Sequence, residues 1–80
     1  MKKVYVVIEE SAVEDMQDID VKVFARKEDA VKLYEQLEDA WMKGCKDWEI
    51  SRNGYHLEMW ELGEYCHNHC NVDLEEKEVQ

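Results

Sequence analysis

Only one segment of this 80-residue chain repeats its apolar residues with the period of an α-helix. Between residues 27 and 43, apolar residues recur every three or four positions and form one broad stripe. Glu28 lies at the start, where the helix dipole favours an acid, and Gly44 follows at a position typical of a helix end. A single helix can cover only one face of a small sheet, which limits the folds open to the chain. The stripe consists of Ala30, Leu33, Tyr34, Leu37 and Trp41.

The residues before the helix predict two strands. Val4 to Ile8 is a short apolar run with apolar residues on both faces, as is typical of an interior strand. Ile19, Val21 and Val23 alternate with charged residues, which predicts a half-buried strand that keeps these three side chains on its buried face. Residues 9 to 18 are acidic and lack a period, so we expect a loop between the two strands.

The residues after the helix predict a hairpin and a last short strand. Asn53 and Gly54 form a strong two-residue turn signal between alternating stretches. Leu57 and Met59 alternate with polar residues in the second stretch. A final strand is expected at about residues 71–75, and residues 76–80 are expected to form a frayed tail.

These elements predict the α+β class, in the order β-β-α-β-β, with a mainly antiparallel sheet and one helix (about 27–43) on one face. The chain is too short for two domains, so residues 1–80 are expected to form one. The other face would expose an apolar patch, which a second copy, a partner or the acidic loop would cover. We expect that patch to contain Tyr5, Val7, Phe24, Trp60 and Leu62.

The stretch VYVV and the later stretch VFARKEDAVKLYEQL resemble small uncharacterised proteins of bacteriophages and Gram-positive bacteria. In those proteins a strand ending in Val-Phe leads into a helix that carries an acidic-Ala step and an aromatic residue. The resemblance covers mainly residues 4–41. It implies a small α+β fold and implies no activity.

Charge is the strongest global signal, because 20 acids against 10 bases give a formal net charge of −10. Residues 9–20 contain acids and no base. Such a surface repels nucleic acid and anionic membranes and favours a basic protein partner, although solubility alone also explains an acidic surface. The first apolar run is too short for a signal peptide, and three cysteines cannot all pair within one chain, so we expect a cytoplasmic protein with reduced thiols.

The segment Cys66 to Cys70 has four side chains of types that bind zinc. Four such ligands within five residues cannot all surround one tetrahedral ion. A subset can, and Cys66, His69 and Cys70 are the predicted metal set, completed by Cys45, His56 or a residue of a second copy. The alternative is a connecting segment that is rich in these residues by chance, with no cofactor.

The sequence indicates no catalytic machinery. Cys66 and His67 are adjacent, so a strand would point them to opposite faces, and nearby acids raise the pKa of a thiol. The three glycines are isolated and form no phosphate-binding loop. We therefore expect a protein that is not an enzyme.

Aromatic residues among acids suggest a protein-binding surface instead. Trp and Tyr dominate the binding energy of many interfaces, and acids steer the approach of a basic partner. Trp60 is equally compatible with a place in the core. The predicted partner-binding residues are Glu9, Glu10, Asp15, Asp18, Glu58, Trp60, Glu61, Glu64 and Tyr65.

The sequence thus predicts a non-catalytic, acidic protein-binding module that acts as a homodimer. One specific version is a phage-type inhibitor or regulator that mimics nucleic-acid charge and occupies a basic groove of its partner. The alternatives are a small zinc-binding module built on residues 66–70 and a structural homodimer.

Overall fold

The computed structural model describes residues 2–14, 16–61 and 68–79. They form β1 (Lys2–Val13), β2 (Met16–Phe24), α1 (Lys27–Gly44), β3 (Glu49–Asn53), β4 (His56–Trp60) and β5 (His69–Val79). The strands make one sheet in the order β2-β1-β5-β4-β3, and every neighbouring pair is antiparallel. This arrangement, with one helix on one face, confirms the predicted α+β class and the order β-β-α-β-β, which is followed by a fifth strand, β5, at the position of the expected last strand.

The helix α1 spans one residue more than the sequence predicted. Arg26 precedes it in an extended conformation and provides no side-chain cap, as the absence of Ser, Thr or Asp there indicated. The helix ends where the backbone N–H of Cys45 donates a hydrogen bond to the carbonyl of Trp41 at 2.9 Å. The described ranges contain no helix that is long and apolar enough to cross a membrane.

The prediction of an acidic loop at residues 9–18 was wrong. Apart from the turn, these residues belong to β1 and β2, which pair continuously from Tyr5–Phe24 to Val13–Met16. Glu14 lies in the turn with a φ of 49°. Acids are tolerated here because each strand of the hairpin has at least one solvent-exposed side, and the ladder of backbone hydrogen bonds does not depend on side-chain polarity.

The predicted short last strand and frayed tail were also wrong. The strand β5 continues to Val79, and residues 76–79 pair with the first residues of β1. The Lys3 ammonium lies 3.6 Å from the Glu76 carboxylate across this ladder. This mostly charged segment is ordered here because β1, which is one residue longer than β5, provides a backbone partner at every position of β5.

The hairpin predicted at Asn53-Gly54 is confirmed. Asn53 pairs with His56, and Gly54 lies in the turn between them with a φ of 60°. Only a residue without a Cβ adopts this backbone conformation without cost, so the glycine determines where β3 turns into β4.

The core lies between α1 and the sheet, mainly over β4 and β5. Leu57 and Met59 point toward the helix, as do Cys70 and Val72 of β5, and Tyr34 of α1 packs against them. All five are almost completely buried. Trp41 and Trp48 close one side of this core, with ring centroids 6.1 Å apart.

The two faces of β1 are reversed relative to the prediction. Val7 faces the helix and is buried, whereas Ile19, Val21 and Val23 of β2 are 68%, 52% and 61% exposed on the other face. The pattern of β1 is apolar on both faces and does not decide the matter. The ladder with β5 decides it, because Leu74 and Val72 must face the core and they place Val7 and Glu9 on the same side.

Candidate functional site

Within residues 2–14, 16–61 and 68–79 no helix covers one face of the sheet, and we call it the open face. It has two parts of different chemistry. The apolar half lies on β1 and β2, and the acidic half lies mainly on β3, β4 and β5, with one residue of β1. The apolar half consists of Val4, Val6, Ile8, Ile19, Val21 and Val23. The acidic half consists of Glu10, Glu49, Glu58, Asp73 and Glu75.

The acidic half is organised around His56. Its Nδ1 contacts Oδ1 of Asp73 across the β4–β5 ladder, and its Nε2 lies 3.1 Å from Oε1 of Glu58. These hydrogen bonds, first to Asp73 and then to Glu58, raise the pKa of His56 above its ordinary value. An imidazole that carries a proton on both ring nitrogens can donate one hydrogen bond to each of these two carboxylates on the open face.

The His56 cluster does not have the geometry of a general base. Both ring nitrogens are directed at carboxylates, so neither is available to accept a proton from a nucleophile. The two thiols that the structure describes are also poorly suited to nucleophilic attack. Burial raises the pKa of Cys70 to about 12, and burial followed by the charge of Glu61 raises the pKa of Cys45.

The structure brings three of the predicted partner-binding residues onto the open face. Glu10, Glu58 and Trp60 share it, because Glu58 and Glu10 flank Asn71 of β5 in the ladder and Trp60 lies two residues beyond Glu58. Trp60 is 38% exposed and is not part of the core. These residues combine an aromatic anchor with acids on one surface.

Two other predicted residues lie on the helix side of the sheet. Glu9 is half-buried and accepts a hydrogen bond of 2.8 Å from Nε1 of Trp41, so it has a structural role. Asp18 is exposed beside Ser11 on that side, near the end of the hairpin. The predicted acidic cluster of residues 9–18 is therefore split between two faces, because consecutive residues of a strand point in opposite directions.

One further predicted residue, Glu61, follows directly after β4. Glu61 is half-buried and accepts a hydrogen bond of 2.8 Å from Nδ2 of Asn68. The Oδ1 of Asn68 in turn accepts a hydrogen bond of 2.9 Å from the backbone N–H of Glu14. Asn68 thus joins the end of β4 to the turn of the first hairpin. The predictions for Asp15, Glu64 and Tyr65 lie outside the described residues.

Two residues of the predicted metal set, His69 and Cys70, point to opposite faces of the sheet. His69 and Cys70 are consecutive in β5, so His69 points to the open face while Cys70 is buried in the core. Cys66 and His67 lie outside the described residues. In the described ranges, no three His, Cys, Asp or Glu side chains are arranged to hold a metal ion.

Sequence reasoning missed an ion pair between a buried acid of the helix and an exposed base of β3. Glu38 lies on the apolar stripe of α1, and its Oε1 is 2.7 Å from a guanidinium nitrogen of Arg52. Neither Oε2 of Glu38 nor the hydroxyl of Tyr34, both buried, has a hydrogen-bond partner among the described residues. Burial, and then the Glu38 carboxylate, raises the pKa of Tyr34 to about 12. The signal was available, since Glu38 lies four residues after Tyr34 and three before Trp41.

A cavity of about 250 Å³ lies beside the first hairpin. It is smaller than most small-molecule sites, and its lining is largely polar. It lies between Glu10 of the acidic half and the first residues of β2. The lining residues are Glu10, Ser11, Ala12, Gln17, Asp18, Ile19 and His69.

No protein family, curated protein or solved structure matches this chain. The resemblance to small phage and Gram-positive proteins therefore stays a prediction.

Proposed function

We propose that this protein is a non-catalytic binding module that uses the acidic half of its open face to contact a basic partner protein. The observation that supports this most is the position of Trp60. It stands exposed on the same helix-free face as Glu10, Glu49 and Glu58. An exposed aromatic anchor with acids around it is a typical composition for a protein interface.

The charge balance of this surface supports a basic partner. Acids predominate along the middle of the open face. Among the described residues, only two bases pair with them there, His56 and Lys77. The Lys77 ammonium lies 3.3 Å from the Glu75 carboxylate. A formal net charge of −10 adds long-range attraction to any cationic surface. A phage-type regulator that mimics nucleic-acid charge remains one specific form of this proposal.

The surface also offers the rigidity that such recognition needs. The acids lie on paired strands, and Glu58 and Asp73 are held by His56. Charged groups that are already ordered lose less conformational entropy on binding. The surface that would mimic nucleic-acid charge is the acidic half of the sheet, because the residues predicted as an acidic loop form a hairpin.

Two matched variants test the proposal. One replaces Glu10, Glu49 and Glu58 with Gln. The other changes three exposed acids of α1, Glu28→Gln, Glu35→Gln and Asp39→Asn. Each variant removes three negative charges from a formal net charge of −10, so the two differ only in location.

The readout is quantitative capture from a host extract followed by binding of the purified captured protein at two salt concentrations. We expect the open-face variant and Trp60→Ala to lose a basic protein that the helix variant retains. Equal loss by both triple variants would show that only net charge matters. Equal retention by all variants would place the interface elsewhere, and either result would overturn the proposal.

A further inference from the structure

The outer strand β2 has the properties of an unprotected sheet edge. It is nine residues long, contains no proline, and pairs with β1 alone among the described strands. Every second residue of an edge strand directs its backbone N–H and C=O away from the sheet. Its apolar residues Ile19, Val21 and Val23 are all more than half exposed. Such an edge invites another strand.

The charges of β2 identify which strand fits. Asp20 and Lys22 project from the same side of the strand, are both well exposed, and lie 4.0 Å apart. In an antiparallel pair of two identical strands centred on Val21, Asp20 of each copy lies opposite Lys22 of the other. On the other side, Val21 faces Val21, and Ile19 faces Val23. Opposite charges and β-branched pairs are the favourable cross-strand partners.

The neighbouring registers are unfavourable. Centring the pair on Asp20 also places Asp18 opposite Lys22, but it adds two aspartates directly opposite each other, a like-charge pair that the register centred on Val21 lacks. Centring it on Lys22 places two lysines opposite each other and forms no opposite-charge pair within β2. Like charges directly opposite in a sheet are destabilising. Among these three symmetric registers, all of which keep Asp20 and Lys22 on the same face, the charges of β2 favour the one centred on Val21.

We propose that β2 pairs with β2 of a second copy, in the register centred on Val21, to form a homodimer with one continuous sheet. A two-fold axis through Val21 keeps both helices on the same side of that sheet, since residues that face each other have the same parity. It gives Ile19, Val21 and Val23 each an apolar neighbour on the free side of β2. The interface is symmetric and closed, so the β2 edges of both copies are paired and neither can bind a third copy.

The dimer does not depend on the proposed function, because it uses the edge of the apolar half and leaves the acidic half accessible. It places two acidic halves at opposite ends of one surface. Loss of dimerisation with retained capture of a basic partner, or the reverse, would separate the two proposals.

Charge exchange within β2 tests the register directly. Lys22→Asp and Asp20→Lys each place like charges opposite each other, and we expect either change to raise the dimer Kd by about tenfold or more. The double variant, with both changes, restores two opposite-charge pairs and should dimerise like the unaltered chain. A mixture of the two single variants should form heterodimers, since two aspartates of one chain then face two lysines of the other.

Light scattering after size exclusion and native mass spectrometry, over a range of protein concentrations, report the result. Both altered positions are exposed, and heterodimer formation itself requires that both single variants are folded. An unaltered chain that stays monomeric would overturn the proposal. A dimer that is insensitive to both single changes, as expected for contact between two open faces, would overturn it as well.

Discussion

The two edges of the sheet are built in opposite ways. The edge strand β3 is short and polar, and Arg52 is drawn over the sheet by the buried carboxylate of Glu38. The edge strand β2 is almost twice as long and exposes three β-branched residues. Short edges with inward-directed charges resist further pairing, whereas long apolar edges promote it. The comparison indicates that one edge terminates the sheet and the other is available to extend it.

The largest effect should come from the core beneath the protected edge. Leu57 is fully buried, so Leu57→Ala should lower the free energy of unfolding by about 2–5 kcal/mol. Val21→Ala at the exposed edge should change the stability of the monomer by less than about 0.5 kcal/mol and weaken the dimer instead. Urea unfolding at a protein concentration below the dimer Kd measures the monomer stability of both variants. Similar losses of unfolding free energy for both variants would contradict the exposed position of Val21 in the monomer.

An intermediate effect is expected at the ion pair that protects β3. Arg52→Ala leaves the buried Glu38 carboxylate without its partner and should cost about 1–3 kcal/mol. The exposed pair Asp39–Lys43, at 3.0 Å, provides the control, and Lys43→Ala should cost less than about 0.5 kcal/mol. Adding Glu38→Leu to Arg52→Ala should recover much of the loss, since no buried charge then remains. If the double variant is no more stable than Arg52→Ala, the burial of charge is not the cause.

The smallest effect concerns pH and the acidic half of the open face. The folded pKa of His56 is raised, so its contribution to stability is fully present below the unfolded pKa of about 6.5 and is lost as pH rises through the folded pKa. We expect less than about 1 kcal/mol, because the side chain is partly exposed. His56→Gln should remove this pH dependence.

An NMR titration measures the same coupling at the imidazole itself. Asp73→Asn should lower the pKa of His56 more than Glu58→Gln does, because the hydrogen bond to Asp73 contributes most to the raised value. The reverse order, or an unshifted His56 in the unaltered chain, would contradict the geometry of this cluster.

The site was less predictable than the fold because it depends on which residues share a face. His69 and Cys70 can be assigned to opposite faces of the sheet once both are known to lie in a strand, and the same is true of Glu9 and Glu10. The acids of residues 9–18 concealed that strand, since they interrupt the apolar pattern from which strands are predicted. Trp60 could not be assigned to core or surface without the ladder that sets its direction.

The sequence by itself determined the helix, the turn at Gly54 and the side of β4 that faces the core. These features depend on a local period or on one residue's backbone freedom, and both can be read from neighbouring positions. Only the tertiary structure decided the side of β1 that meets the helix, the length of β5 and the role of Glu9. Each of these depends on a partner far along the chain: β1 is apolar on both faces, β5 extends because β1 pairs with it throughout, and Glu9 is held by Trp41. Long-range pairing therefore chose which residues form the open face.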